Sequence, residues 1–145
     1  MSTKDHKERV HRFAEAYNKG RAAAMAAIDE SFATNLVFHS GTGNDLHGVK
    51  EFKEHMGRLF DAFPDGRMTI GDVFFEGDKA AIRFTMTGTN KGAYTGVPPT
   101  NKKVTVPTIH INRYAGDKVV EVWQAYDTFG MMQQLGVVPT PRKGK

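Results

Sequence analysis

The sequence predicts an α+β domain in which helices cover one face of a curved antiparallel sheet. Apolar residues recur at helical spacing up to about residue 63, and from residue 67 onward they alternate with polar residues at the period of a strand. Gly77-Asp78 and Gly116-Asp117 interrupt the alternating part and predict two tight hairpin turns. Helices followed by hairpin-connected strands are typical of the α+β class.

Three helices are predicted in the first part of the chain. Residues 4–19 carry an apolar stripe, residues 21–34 are rich in strong helix formers, and residues 48–63 carry a mostly aromatic stripe that Pro64 ends. A short strand at residues 36–39, followed by a glycine-rich loop, separates the second helix from the third.

The second part is predicted to form strands and one short helix. Period-two patterns cover four segments, residues 67–76, 79–89, 103–114 and 118–127. A helical turn or two is predicted at residues 130–135, and residues 137–145 are expected to form a loose basic tail that can reach the mouth of a pocket.

Composition narrows the function classes. The 145 residues predict one domain, 1–145, and the absence of cysteine excludes disulfides and thiolate chemistry. The formal charge is +4, but the basic residues are scattered, so no nucleic-acid partner is expected. The N-terminus lacks the apolar centre of a signal peptide, and no run of about 18 apolar residues occurs, so a soluble, cytoplasmic protein with no membrane contact is expected.

A family resemblance rests on a series of short segments in a fixed order. They are LHGVKEF, AFPD, EGDKAAIRFTMTGT, GVPPTNKKV, INRYAGDKVVEVW and YDTFGMMQQLG. Over roughly residues 8–138 this series resembles the SnoaL-like polyketide cyclases, which share a cone-shaped fold with nuclear transport factor 2 and ketosteroid isomerase. The resemblance implies a deep, mainly apolar pocket between sheet and helices, a homodimer through the outer face of the sheet, and aldol-type ring closure without a cofactor.

The resemblance also implies an acid–base aspartate near the Trp strand, with a histidine close by. Asp127 and His110 are the candidates in this chain. In the cyclases the aspartate is expected close after the Trp, whereas Gln124 directly follows Trp123 here. If Gln124 aligns with the acid–base position, the chain has an amide that cannot accept a proton there.

Alternation along the last strand puts Glu121, Trp123 and Asp127 on one face and Gln124 on the other. The first face is the predicted site: Trp123 would stack on a flat ring, and an enclosed carboxylate would have a raised pKa unless a cation lies beside it. Arg83, in an apolar strand, is expected to pair with Glu121 or Asp127, or to bind an anionic or carbonyl group of the ligand.

Further ligand contacts are expected from other elements. His110 shares a strand face with Thr108 and Asn112, and His39 ends the first strand. Tyr17 and Phe63, on the apolar stripes of the first and third helices, are also expected to contact substrate, and so is Gln124.

The remaining histidines, His6, His11, His47 and His55, are expected to be solvated, and no pair has the spacing of a metal site.

Three functions are consistent with these residues. The first is a cofactor-free lyase or isomerase that acts on a small apolar or polycyclic carbonyl compound. Asp127 would remove the proton of an acidic C–H, and His110 would orient Asp127 or donate a hydrogen bond to a carbonyl oxygen. The second is a non-catalytic small-molecule-binding protein, indicated by Gln124. The third is a hydrolase in which Asp127 and Arg83 position a water.

Overall fold

The computed structural model describes residues 2–139, and residues 140–145 of the predicted tail (137–145) lie outside them. The elements follow the order helix, helix, strand, strand, helix, four strands, helix. They are α1 (Thr3–Asn18), α2 (Arg21–Ser31), β1 (Phe32–His39), β2 (Leu46–His47), α3 (Val49–Ala62), β3 (Arg67–Glu76), β4 (Lys79–Thr89), β5 (Lys103–Ala115), β6 (Lys118–Tyr126) and α4 (Thr128–Leu135). The α+β class and the curved, cone-shaped sheet are confirmed.

All six strands belong to one sheet in the order β2-β1-β6-β5-β4-β3. The hairpins β3–β4 and β5–β6 are antiparallel as predicted, and their turns use Gly77 and Gly116 at positive φ of 60° and 62°. The prediction of a wholly antiparallel sheet is wrong at one pairing, because β1 runs parallel to β6. This pairing sets His39 directly beside Trp123.

Several boundaries differ from the sequence prediction. β1 begins at Phe32, where helix was expected, because Phe32 pairs with Val119 of β6. The two-residue strand β2 was not predicted. β6 ends at Tyr126 instead of Asp127, because Asp127 turns the chain into α4 and caps it.

The core lies between the concave face of the sheet and the helices α1 to α3. Ala24 and Ile28 of α2, Leu36 and Phe38 of β1, and Val122 of β6 are almost completely removed from solvent. The helices do not fill the whole concavity, and the space that remains is the cavity in which a ligand could bind. Within the described residues, no helix is both long and apolar enough to cross a membrane.

Candidate functional site

A cavity of about 370 Å³ lies between α1, α3 and the concave face of the sheet. This volume is within the range of small-molecule sites. The wall is mainly aliphatic and aromatic; its members include Val10, Phe13, Phe38, Phe52, Met56, Leu59, Ile70, Ile82, Phe84, Met86, Val104 and Val106. The apolar pocket expected between sheet and helices is therefore present.

Four of the eight predicted site residues lie on this wall, namely Tyr17, Phe63, His110 and Gln124. Tyr17 is 3% exposed, and burial raises its pKa to about 12, so the phenol stays protonated. Phe63 caps the C-terminal end of α3 and packs edge-on against Tyr94. Thr108 and Asn112 accompany His110, as the alternation along β5 predicts.

His110 and Gln124 form the polar centre of the wall. They are cross-strand neighbours on β5 and β6, and the Nε2 atoms of the two side chains are 3.1 Å apart. The rings of Phe38 and Phe84 lie nearly perpendicular to the imidazole, with ring centroids 5.6 and 4.8 Å away. Removal of the imidazole from water lowers the pKa of His110 to about 3, so the ring is neutral at physiological pH.

Gly41 fixes the direction of the hydrogen bond between these two side chains. The backbone N–H of Gly41 donates to Gln124 Oε1 at 3.1 Å, so the Nε2 atom of the amide must face His110. An amide nitrogen can only donate, so His110 Nε2 accepts and the ring proton sits on Nδ1.

The Nδ1–H of His110 has no hydrogen-bond partner among residues 2–139. Asn112 Oδ1 is a buried side-chain oxygen without a partner among the same residues. Because His110 lines the cavity, its Nδ1–H is the donor that this side chain can offer to a ligand there. The site presents a neutral N–H donor to whatever occupies the cavity.

Asp127 is not on the cavity wall, which contradicts its predicted position. Its Oδ1 accepts the Gly130 backbone N–H at 2.8 Å, and its side chain is the N-cap of α4. Aspartate is among the best N-cap residues because it satisfies a backbone donor that the helix leaves unpaired. The geometry supports a structural role for Asp127 instead of proton abstraction in the cavity.

Replacement of Asp127 by alanine is expected to lower the free energy of unfolding by about 1 kcal/mol. Asp127→Asn should leave it nearly unchanged, because asparagine caps equally well. Urea unfolding of the two variants checks this. Equal destabilisation by both substitutions would show that the negative charge, and not the cap, is what matters.

Trp123 and His39 lie on the outer face of the sheet, away from the cavity wall. Their rings stack with centroids 5.5 Å apart. Trp123 is 37% exposed, so it does not form the enclosed stacking surface that was predicted. The reason is the alternation on β6: the face of Gln124 points inward, so the face of Trp123 points outward.

Arg83 also lies outside the cavity, and its predicted partners are wrong. Its Nε contacts Asp72 Oδ2 at 2.6 Å on exposed surface, whereas Arg113 contacts Glu121 at 3.1 Å. A register shift between Ile70 and Asp72 places Asp72 opposite Arg83. The hydrolase alternative needs Asp127 and Arg83 together, and the structure does not bring them together.

His39 forms a charged cluster with two carboxylates. Its Nε2 is 2.7 Å from Glu121 Oε2, and its Nδ1 is 3.0 Å from Asp45 Oδ2. Both contacts can be N–H···O bonds only when the ring carries two protons. Glu121 first, and then Asp45, raise the pKa of His39, and His39 lowers the pKa of Glu121, as expected for a carboxylate with a cation beside it.

This cluster predicts a pH dependence of stability. Because the pKa of His39 in the folded protein lies above its ordinary value of 6.5, the stabilisation that His39 provides is fully present below pH 6.5 and is lost as the pH rises through the raised pKa. Urea unfolding at a series of pH values above 6.5 should show this loss, and His39→Gln should flatten it. An unchanged slope in His39→Gln would contradict the assignment.

Two contributors to the site were not anticipated. His55 was expected to be solvated, but it is half-buried on the cavity wall beside Arg58 of the same helix. The backbone of Gly41 orients Gln124, and no side-chain pattern could have predicted a contact made by an amide. Within the described residues no group of three histidine, aspartate or glutamate side chains is arranged to hold a metal ion.

Comparison with known proteins agrees with this architecture. AclR of Streptomyces galilaeus, a proposed hydroxylase, superposes with a TM-score of 0.84 at 25% identity, over 98% of this chain and 91% of that one. IdmH of Streptomyces antibioticus, a proposed polyketide cyclase, gives 0.76 at 26% identity, with 91% and 99% covered. A proposed polyketide cyclase of Acidithiobacillus ferrooxidans gives 0.75 at 28% identity, with 94% and 98% covered.

No curated protein matches the sequence. The family model described as SnoaL-like polyketide cyclase matches residues 7–135, which is most of the chain. The chain therefore belongs to the SnoaL-like polyketide cyclase family.

Proposed function

We propose that this protein is a cofactor-free cyclase that binds a flat, mainly apolar carbonyl compound and promotes its aldol-type ring closure. The observation that carries the proposal is the His110–Gln124 pair on the wall of an otherwise apolar cavity. Apolar walls with a few placed polar groups are typical of sites that orient a small ligand. Family membership supports the reaction class.

His110 acts in this proposal as a hydrogen-bond donor to a substrate carbonyl oxygen. A donor held in a site with little water stabilises the negative charge that develops on oxygen when the adjacent C–H ionises. Since burial lowers its pKa to about 3, His110 is a poor base at neutral pH. The proposal therefore requires a substrate whose C–H is already acidified by two flanking carbonyl groups, and water accepts the proton from that carbon.

The proposed step conserves every atom of the substrate. The enolate carbon attacks a second carbonyl carbon of the same molecule, one C–C bond forms, and the new alkoxide oxygen takes a proton from water. The product has the mass of the substrate, so the reaction is an isomerisation that needs no oxidant or cofactor. Phe38, Phe84 and Tyr17 would hold the folded substrate by contact with its rings.

A second candidate is a binding protein without turnover. Gln124 favours it, because an amide stands beside His110 where a proton acceptor would be needed, and because the carboxylate of Asp127 caps α4 instead. Both candidates require the same carbonyl ligand in the same cavity.

Calorimetric titration with anthraquinone and anthracene tests the shared requirement. The two molecules have the same ring framework, so a preference for anthraquinone of about tenfold measures the hydrogen bond to its oxygen. A naphthoquinone with a β-keto ester side chain then separates the candidates. A ring-closed product of unchanged mass supports the cyclase, and binding without product supports the binding protein.

Two further outcomes bear on these proposals. Failure of every carbonyl ligand to bind would overturn both. A loss of turnover in Asp127→Asn, a variant that keeps the cap, would restore the carboxylate mechanism and overturn the role given to His110.

The homodimer is a separate proposal. Phe74, Ile109 and Trp123 expose apolar surface on the outer face of the sheet, which supports an interface there. Sedimentation that gives the mass of a monomer at micromolar concentration would contradict it.

A further inference from the structure

We propose that Arg58 and His55 bind a carboxylate of the ligand at the mouth of the cavity, so that the ligand is a flat aromatic keto acid. This inference rests on the proposed function and specifies the substrate class of the same cavity. The His110 donor receives a carbonyl oxygen on the wall, and the pair on α3 receives the negatively charged end of the same molecule.

Helix α3 carries both apolar and polar side chains on the side that faces the cavity. Phe52, Met56 and Phe60 are buried in the main core, and Phe52 and Met56 also line the cavity. His55 and Arg58, three positions apart and therefore neighbours on the helix surface, both line the cavity. His55 is half-buried, whereas Arg58 is exposed. The exposure of Arg58 places its charge where the cavity meets solvent.

Two loops also contribute exposed residues to the cavity wall. Thr42 and Asn44 come from the loop after β1, and Thr95 comes from the loop between β4 and β5. These side chains are polar but uncharged. Arg58 therefore supplies the positive charge among the wall residues contributed by α3 and these two loops.

The charge of Arg58 is not balanced by the protein within residues 2–139. The other guanidinium on the wall, Arg9, lies 3.8 Å from Asp117, which is the carboxylate on that wall. Arg58 has no carboxylate oxygen within 4.0 Å among the described residues.

None of the acidic residues of α3 forms a salt bridge with Arg58. Asp61 pairs with Arg21 at 2.7 Å, and Glu51 accepts the backbone N–H of His47 at 2.8 Å. Glu54, one turn before Arg58, makes no salt bridge with it.

The chemistry of the pair suits a carboxylate better than a neutral group. A guanidinium offers two parallel N–H donors that match the two carboxylate oxygens. Burial first, and the nearby charge of Arg58 second, lower the pKa of His55, so its ring is neutral at pH 7 and can add an N–H donor. Three N–H donors and one positive charge would meet the anion as it leaves bulk water.

A matched pair of ligands and three variants test this inference. The ligands are an anthraquinone carboxylic acid and its primary amide at the same ring position, titrated calorimetrically into the full chain at neutral pH. The variants are Arg58→Gln, Arg58→Lys and Lys50→Gln. Lys50 is exposed on the same helix and does not line the cavity, so its replacement removes the same charge without touching the site.

We expect wild-type protein to prefer the acid over the amide by about three- to tenfold, with a preference that falls as salt is added. Arg58→Gln should abolish the preference, Arg58→Lys should keep part of it, and Lys50→Gln should leave it intact. Affinity for the amide should be similar in all four proteins.

Two results would overturn the inference in distinguishable ways. Equal binding of acid and amide to wild-type protein, or equal loss of preference in Lys50→Gln, would reject the carboxylate site and leave the carbonyl site standing. Failure of both ligands to bind would reject the proposed function and the inference together.

Discussion

Replacement of His110 by phenylalanine is expected to reduce turnover of an enolising substrate by about a hundredfold, the order of magnitude for loss of one donor to a developing oxyanion. Affinity for anthraquinone should fall by about tenfold, because the carbonyl oxygen loses its partner in the apolar cavity. Phenylalanine keeps a planar ring between Phe38 and Phe84, so the wall should keep its shape. Steady-state kinetics and calorimetry measure the two effects.

Anthracene is the control ligand for this prediction. It has no oxygen, so its affinity should be the same or slightly higher in His110→Phe. A fall in anthracene affinity equal to that of anthraquinone would show that the substitution closes the cavity instead of removing a donor, and it would contradict the role assigned to His110.

The Phe38→Ala variant is expected to lose about 3–5 kcal/mol of free energy of unfolding. Phe38 is 2% exposed, stacks on Phe52 with centroids 5.0 Å apart, and lies edge-on to His110. Its removal opens space in the core and also takes away one side of the pocket around the imidazole. Denaturant unfolding, with the slope m checked for constancy, gives the difference.

Phe74→Ala is the matched control, because Phe74 is a phenylalanine of the same sheet that is 67% exposed. It should change the free energy of unfolding of the monomer by no more than about 0.5 kcal/mol. Similar losses for Phe38→Ala and Phe74→Ala would contradict the assignment of the core to the concave face.

The strands of the two hairpins could be predicted from sequence because their signals are local. Alternation over ten or more residues on either side of a Gly-Asp turn determines both the strand and its partner. The same alternation correctly separates Gln124 and Tyr126 from Trp123 and Asp127. The parallel contact between β1 and β6 has no local signal, since it joins residues far apart in the chain.

Which face of β6 points into the cavity could not be predicted, because both faces carry polar and apolar residues. The packing of the core determines the orientation of β6. Val122, on the same strand face as Gln124, is fully buried, so the strand face that carries Trp123 points away from the core. The family resemblance points to Asp127 as the acid–base residue, and the predicted last strand runs through it. Its capping of α4 ends the strand one residue earlier.

The partner of Arg83 is determined by a register shift between β3 and β4 that the alternation of residues in the sequence does not reveal. The register of β3 against β4 shifts at Gly71, and the Arg83 guanidinium lies directly over this glycine. An added Cβ at Gly71 would come within 2.6 Å of the guanidinium, so the position has no room for a side chain while Arg83 pairs with Asp72. Without this register shift, Asp72 would not lie opposite Arg83.

¹⁵N NMR of the imidazole can establish whether His110 is a neutral Nδ1–H donor in the cavity. We expect a protonated Nδ1 and an unprotonated, hydrogen-bonded Nε2 throughout the neutral pH range, and we expect the Nδ1 chemical shift to respond to anthraquinone. An imidazolium near pH 6, or a proton on Nε2, would rule out the role given to His110.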